Sequence, residues 1–409
     1  MTAQIPRKIR VLHFAGIINR HDFIDSVLSR LDRSRFEVSA ITSIPPRRTG
    51  VYSSNTTYPN RVLGFPFCRS TFLRTVTALV REVREFRPHI LQSHHYTETL
   101  AAAMVVRRCG IPGFVIGHHY SDHIYVLAKG LKRQVYLAGE AFCNRTANRV
   151  VVPAADVAEL LTARQGVPAT KVAVIPYGFD FGGVPIPSPE AVGRIRTKHD
   201  LHGKFVIVTS CRLNREKGLD YLLRAIPKVK SHRSAIRVMM LGDGPYASRL
   251  RHLSRELGVE NAVEFVGWQN DAMDWIAAAD VVVQPSLSES FCQVLLEAAF
   301  CGKPVVMTPV GAAPDFIGQN ERGCLVPPED TDAIAEALIR LMKDRRRARE
   351  LGCRAQKYLK EQMGAGTSAR AYMELYEAVL SEALTTRLRH RRIHHLNEEK
   401  SSTGCVTST

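Results

Sequence analysis

The chain has 409 residues, 45% of them hydrophobic and 23% charged, which is too long for one compact core and fits two soluble domains. No apolar run approaches the roughly 20 residues of a membrane span, and nine scattered cysteines without a CxxC pair support neither a zinc site nor a disulfide framework. The formal net charge of +17 asks for an anionic partner: a nucleotide, a phospholipid surface or nucleic acid.

Short β-branched runs alternate with amphipathic stretches, the pattern of parallel sheets wrapped by helices. The first run, 9–14, reads as a strand and not as a signal segment, because no small-residue cleavage site follows it; that places the protein in the cytosol. Further strands are predicted at 37–41, 61–65, 90–94, 114–118, 149–152 and 172–175. Between them fall helices at 22–31, 72–86, 98–109, within 124–148, and at 154–164. In 72–86, Leu73, Val76, Leu79, Val80 and Val83 recur at three- and four-residue steps and predict one buried face. Up to Asp180 there are 24 Lys+Arg against 12 Asp+Glu, so about +12 of the net charge lies in this half. Residues 1–179 form the expected first domain.

Residues 179–204, with Gly182-Gly183-Val184-Pro185-Ile186-Pro187-Ser188-Pro189, read as an interdomain linker. A second alternating series follows, with strands at 205–209, 237–241, 263–266, 281–284, 304–308 and near Leu325. Its helices are predicted at 219–230, 246–257, 272–278, 291–300, 332–343 and 345–359, within a second domain of residues 180–365. Tyr372, Leu375, Tyr376, Val379 and Ala383 share one face of a further helix, and 366–385 is expected to pack back onto the first domain. The end, 386–409, is basic and then small and polar, and reads as a flexible tail. The fold class is α/β: two Rossmann-like domains facing across a cleft, with ligands at the carboxyl edges of both sheets.

The strongest chemical signal is the segment from Ser210 to Leu223. There Arg212 and Lys217 flank a strand-to-helix turn, where a guanidinium and an ammonium can neutralise a diphosphate. Taken alone, the same residues read more readily as two solvated basic side chains in a loop of a basic protein. The second signal runs from Ser286 to Val306, with Glu289 before a helix and Glu297 eight residues later inside it. Glu289 has a capping reading. Glu297, between Leu296 and Ala298, is a carboxylate among core residues and needs a partner, for which ribose hydroxyls are suited. Gly16 follows the first strand. His118 and His119 end the fifth, whereas His94 and His95 read better as histidines that satisfy local backbone groups. Asp330-Thr331-Asp332, the only Asp-x-Asp, sits at a helix start, where capping explains it and no metal is implied.

Together these segments resemble the retaining glycosyltransferases of the GT-B fold, the family-4-like group of glycosyl transferases group 1. The resemblance rests on Cys211-Arg212-Leu213 with Lys217-Gly218, on Glu289 to Glu297 followed by Gly302-Lys303-Pro304, and on Leu241-Gly242-Asp243-Gly244, Phe265-Val266-Gly267 and Tyr177-Gly178-Phe179-Asp180. It implies a nucleotide-sugar donor, UDP-linked by family frequency, and a saccharide or lipid-linked acceptor, with no cofactor. The donor is held by Gly16, Arg212, Lys217, Glu289, Ser290, Phe291 and Glu297. The resemblance puts the diphosphate on Arg212 and Lys217, the ribose on Glu297 and the sugar on Glu289, with His118 and Glu289 at the reacting centre. Ser290 and Cys292 stand where the family carries glycines.

A sugar-nucleotide epimerase on the same double fold is the rival enzyme reading. Nucleic-acid binding is disfavoured, because the basic residues are not interleaved with aromatics, which total only 7%. An anionic membrane surface is a further expected partner. Lys129, Lys132, Arg133, Arg145 and Arg149 lie near Ile124–Leu127, Leu131, Val135, Tyr136 and Phe142, and Arg81, Arg84 and Arg87 add to the basic surface.

Overall fold

A computed structural model describes residues 6–18, 22–43, 57–119 and 129–403, with side chains to Leu388. The apolar run Ile124–Leu127 and the chain end from Gly404 lie outside the described residues. The first domain is built on seven parallel strands: β1 (Ile9–Ala15), β2 (Phe36–Thr42), β3 (Asn60–Val62), β4 (Ile90–His94), β5 (Gly113–Gly117), β6 (Arg149–Val152) and β7 (Val172–Val174). They lie in the order β3-β2-β1-β4-β5-β6-β7. The central strands are buried along their length and packed on both faces, which is why they read as near-continuous apolar runs. Strand order turns between β1 and β4, so the crevice outside their carboxyl ends opens beside Gly16 and His94.

The second domain repeats the plan with β8 (Phe205–Ser210), β9 (Ile236–Leu241), β10 (Val263–Gly267), β11 (Val281–Gln284), β12 (Val305–Met307) and β13 (Cys324–Leu325). These are ordered β10-β9-β8-β11-β12-β13, with the turn of order between β8 and β11. The loops after those two strands carry Arg212, Lys217 and Glu289.

Three expectations are corrected. The predicted linker holds a helix, Pro189–Lys198: Ser188 Oγ accepts from Ala191 N at 3.0 Å and Pro189 opens the first turn, so a complete cap overrides the Gly/Pro-rich surroundings. Leu73, assigned to a buried face, is 78% exposed, because the helix Phe72–Phe86 turns Leu79 and Val83 inward. The last helix does not stop at 385: it runs Ala365–Thr403, with no glycine or proline between Gly366 and Gly404 to end it sooner.

That helix returns to the first domain. Ala369, Tyr372, Tyr376, Val379 and Leu380 join the core of the first sheet. The two chain crossings between domains pair with each other: Phe179 N donates to Met363 O at 2.7 Å and Ala365 N to Phe179 O at 3.0 Å. Arg30 adds an ion pair to Asp180 at 2.5 Å, and Gly311 N donates to Asp156 Oδ2 at 2.9 Å.

Candidate functional site

Beyond β8 the chain enters the loop with Cys211 and Arg212. A single 3-10 turn, Arg215–Lys217, then ends at Gly218 with φ 59°. A Cβ there would sit 2.1 Å from the Pro285 carbonyl oxygen, so both the left-handed backbone and the close approach require glycine. This contact presses the turn against the loop that follows β11, and Lys217 Nζ reaches Glu289 Oε1 at 2.8 Å with both side chains mostly buried. The same oxygen accepts from Ser286 Oγ at 2.7 Å. Behind it, Gln284 Nε2 donates to Ser286 Oγ at 3.0 Å, and Thr209 Oγ1 to Gln284 Oε1 at 3.2 Å. Burial opposes the Lys217 charge, but Glu289 more than offsets it and raises the ammonium's pKa. Arg212 is exposed and forms no ion pair among the described residues.

Arg212, Lys217 and Glu289 line one cavity of about 370 Å³ together with Glu297, Cys292 and Trp268. A second cavity of about 370 Å³ shares Asn270, Gln293 and Glu297 with it and extends to Phe23, Tyr177 and Asp180 at the first domain. Glu297 therefore stands at the junction. Its carboxyl accepts no hydrogen bond from the described residues, and burial pushes its pKa up to about 7.

The helix carrying Glu297, Gln293–Phe300, starts at Cys292, which has φ 78° and ψ 78°. A non-glycine residue in this left-handed region costs about 1 kcal/mol or more. The backbone conformation is the one a glycine would adopt freely. The predicted start at 291 moves to 293 for the same reason. Phe291 turns its ring into the core, 1% exposed and 4.5 Å from the Tyr177 ring, so it can offer a ligand backbone but no ring face. Ser290 is half-buried beside Glu289.

On the first domain, Gly16 admits Glu98: a Cβ at Gly16 would lie 2.8 Å from Glu98 Oε1, whose burial pushes that carboxyl's pKa to about 7. His118 is buried, its N–H donating to Val151 O at 2.8 Å, and it lines neither cavity. His119 hydrogen-bonds His94 and Tyr177. Asp330 caps the helix Thr331–Lys343, accepting from Ala333 N at 2.8 Å, while Asp332 pairs with Lys228. Among the described residues no cluster of three or more His, Cys, Asp or Glu side chains is arranged to hold a metal ion. No described helix is long and apolar enough to cross a membrane.

Two groups in the cleft escaped sequence reasoning. Trp268, 70% exposed at the cavity rim with Nε1 donating to Asn270 Oδ1 at 3.1 Å, follows the Phe265-Val266-Gly267 segment directly. A tryptophan next to Gln-Asn at a strand's carboxyl end was the available signal. Tyr177 and Phe23 stack at 4.0 Å across the cleft wall, and no local pattern marks that pair.

Two parallel-sheet domains with a cation-lined cavity at one sheet's carboxyl edge define the GT-B class. The fold matches Anabaena HepE solved with UDP-glucose at a TM-score of 0.74 and 20% identity, over 90% of this chain and 100% of that one. It matches the sucrose-phosphate synthase of Thermosynechococcus elongatus at 0.75 and 19% identity, over 91% and 100%. Residues 193–358 match the profile of glycosyl transferases group 1, and 22–178 that of the glycosyl transferase 4-like domain. The chain belongs to the glycosyl transferases group 1. It is 33% identical over 175 residues to a GDP-mannose-dependent alpha-(1-6)-phosphatidylinositol monomannoside mannosyltransferase of Mycolicibacterium smegmatis, covering 41% of this chain and 46% of that protein. It is 30% identical over 260 residues to a D-inositol 3-phosphate glycosyltransferase of Kribbella flavida, covering 60% and 61%. The chain spans about half the length of the curated relatives it matches.

Proposed function

We propose that this protein is a retaining glycosyltransferase that moves a hexosyl or N-acetylhexosaminyl group from a nucleotide sugar, UDP-linked in the first instance, to a saccharide or lipid-linked acceptor. The observation that carries the proposal is a single cavity lined by two cations, Arg212 and Lys217, and two carboxylates in contrasting settings, Glu289 paired and Glu297 unpaired. In this reading the diphosphate lies between Arg212 and Lys217, near the backbone N–H groups that open the helix Gln293–Phe300. Fixed positive charge there stabilises the leaving diphosphate as the glycosidic bond stretches, with no cofactor or resident metal invoked. Glu297 takes the ribose, Glu289 and the backbone of Ser290 and Phe291 the sugar, and Trp268 offers an exposed ring face to the base. Gly16 and His118 belong to the acceptor side of the cleft. HepE, solved with UDP-glucose, and the mannosyltransferase relative, named for GDP-mannose, support the donor class.

A thermal-shift screen of UDP-, GDP- and ADP-sugars tests this directly. Saturation at about 100 Kd adds about 2.7 kcal/mol, several degrees in Tm. The stabilising donor is then expected to release its nucleotide only when an acceptor is added, in EDTA as well as without it. Nucleotide release without acceptor, or no stabilisation by any nucleotide or nucleotide sugar, overturns the proposal.

An anionic membrane is the further partner proposed. On the helix Gly130–Thr146, Leu131 and Val135 are 75% and 63% exposed beside exposed Lys132 and Arg133, and Arg81, Arg84 and Arg87 are exposed as well. Each basic residue near anionic lipid is worth about 1 kcal/mol. Co-sedimentation with anionic but not zwitterionic vesicles is expected at low salt and is lost at high salt. Failure to sediment at low salt points to a soluble acceptor.

A further inference from the structure

Six side chains from five separate parts of the chain form one continuous hydrogen-bonded file through the first domain. At its inner end Tyr376, fully buried on the helix Ala365–Thr403, donates its hydroxyl proton to Gln92 Oε1 at 2.5 Å. That hydroxyl then has only lone pairs left for His13 Nε2, 3.1 Å away, so His13 carries its proton on Nε2. His13 Nδ1 must accept from His94 Nε2–H at 3.0 Å. His94 Nδ1 accepts in turn from His119 Nε2–H at 2.7 Å, and His119 Nδ1 from the Tyr177 hydroxyl at 2.8 Å. The outer end requires the same polarity, since the Tyr177 hydroxyl has no other acceptor among the described residues.

The rings are stacked as well as bonded. His13 and His94 lie 5.3 Å apart at 20°, and His94 and His119 5.0 Å apart at 11°. Gly117, at the end of β5, makes room for this: a Cβ there would lie 2.6 Å from His119 Nε2 and 2.7 Å from His94 Nδ1. Burial keeps all three imidazoles neutral, His13 at a pKa of about 3 and the other two well below the ordinary value, with their mutual repulsion adding for His94. Each neutral histidine has one donor and one acceptor, so fixing either end fixes every tautomer between.

The file ends where the two domains meet. Tyr177 stacks on Phe23 of the first domain at 4.0 Å and packs on Phe291 of the second at 4.5 Å, one residue before the Cys292 turn that starts the Glu297 helix. Burying six polar side chains gains little stability over an apolar filling of the same shape. What the file supplies is a fixed orientation carried from a distant helix to the cleft.

We infer that Tyr376 and the histidines His13, His94 and His119 are positioning residues for the cleft: their hydrogen-bond file sets the Tyr177 ring, and through it the placement of the donor-domain helix start against the first domain. The inference rests on the transferase reading for its activity arm alone. A spectroscopic arm stands independently of it. Long-range 15N–1H correlation spectra of the whole protein are expected to show His13, His94 and His119 neutral and protonated at Nε2 across pH 6–8. Tyr376→Phe and Tyr177→Phe keep ring and stacking but remove one end of the file each; since either end alone fixes the polarity, mixed tautomers are expected when the two substitutions are combined, whereas each single variant frees only the terminal ring. In acceptor-dependent transfer, each is expected to lower kcat about tenfold while leaving donor KM within about twofold, the pattern of lost alignment without lost binding. Mixed tautomers in the wild type, or wild-type kcat in both variants, overturns the inference. Absence of any transfer by the wild type, with the tautomer result intact, counts against the transferase reading alone.

Discussion

Lys217→Ala is expected to weaken nucleotide-sugar binding about ten- to a hundredfold, the loss of one charge-assisted contact of about 1.5–3 kcal/mol. It is also expected to lower the melting temperature, which Arg212→Ala is not. The two cations sit in different surroundings. Lys217 is 2.8 Å from Glu289 with little of either side chain in contact with water, so removing it leaves a largely buried carboxylate facing only Ser286. Arg212 is exposed, and its loss strands no partner in the interior. The pair also means that an incoming diphosphate must share or displace Glu289 as the ammonium's anion. A double-mutant cycle separates these effects. In Lys217→Ala/Glu289→Gln the stranded charge is gone, so the melting temperature should recover while donor affinity stays low. Titration calorimetry and thermal denaturation of the four proteins check this. Wild-type donor affinity in both Lys217→Ala and Arg212→Ala would remove the diphosphate from this cavity.

How far the sequence carried the description depends on whether a feature is local. Strands buried on both faces announce themselves as β-branched runs, and β4, β6 and β11 fall on their predicted residues because hydrophobic burial and β-propensity agree there. The helix Pro189–Lys198 was legible too, in Ser188-Pro189-Glu190, but the glycines and prolines before it masked the cap. Leu73 fits the helical period yet faces water, since periodicity identifies a stripe and not its edge. Arg212, Lys217 and Glu289 of the donor-side cavity were legible because each lies at a strand-to-helix turn, and Glu297 because it is a carboxylate between core residues of the helix that follows. The histidine file was invisible: His13, His94, His119, Tyr177 and Tyr376 are brought together by sheet order and by the return of the last helix, which no window of sequence contains. His94 read as a histidine satisfied by local groups, and its partners instead come from β1 and from beyond β5.

Glu297 should make nucleotide binding and fold stability respond to pH in opposite senses. Burial raises its pKa from 4.5 to about 7 in the folded protein. A carboxyl so raised contributes stability that is fully present below the unfolded value of about 4.5 and is lost as pH climbs through 7, because the folded state holds the proton more tightly than the unfolded chain. Glu98, raised to about 7 by burial beneath Gly16, acts in the same window, so the stability profile of Glu297→Gln is expected to be flatter than wild type but not flat. Binding runs the other way. Two ribose hydroxyls donate best to an ionised carboxylate, and the ionised fraction rises from about a tenth at pH 6 to about nine tenths at pH 8 for a pKa near 7. Affinity for the free nucleoside diphosphate is therefore expected to rise several-fold over that range in the wild type. In Glu297→Gln, which keeps the shape and lacks the titration, it should be low and nearly level apart from the phosphate's own ionisation. Glu289→Gln supplies the contrast, since its carboxylate is assigned to the sugar and competes with the diphosphate for Lys217: nucleoside diphosphate affinity should not fall, and its pH slope should stay as in the wild type. Calorimetric titrations of the three proteins at pH 6, 7 and 8 decide the matter. Equal losses in the two glutamine variants, or a wild-type slope that survives in Glu297→Gln, would place the ribose elsewhere in the cavity.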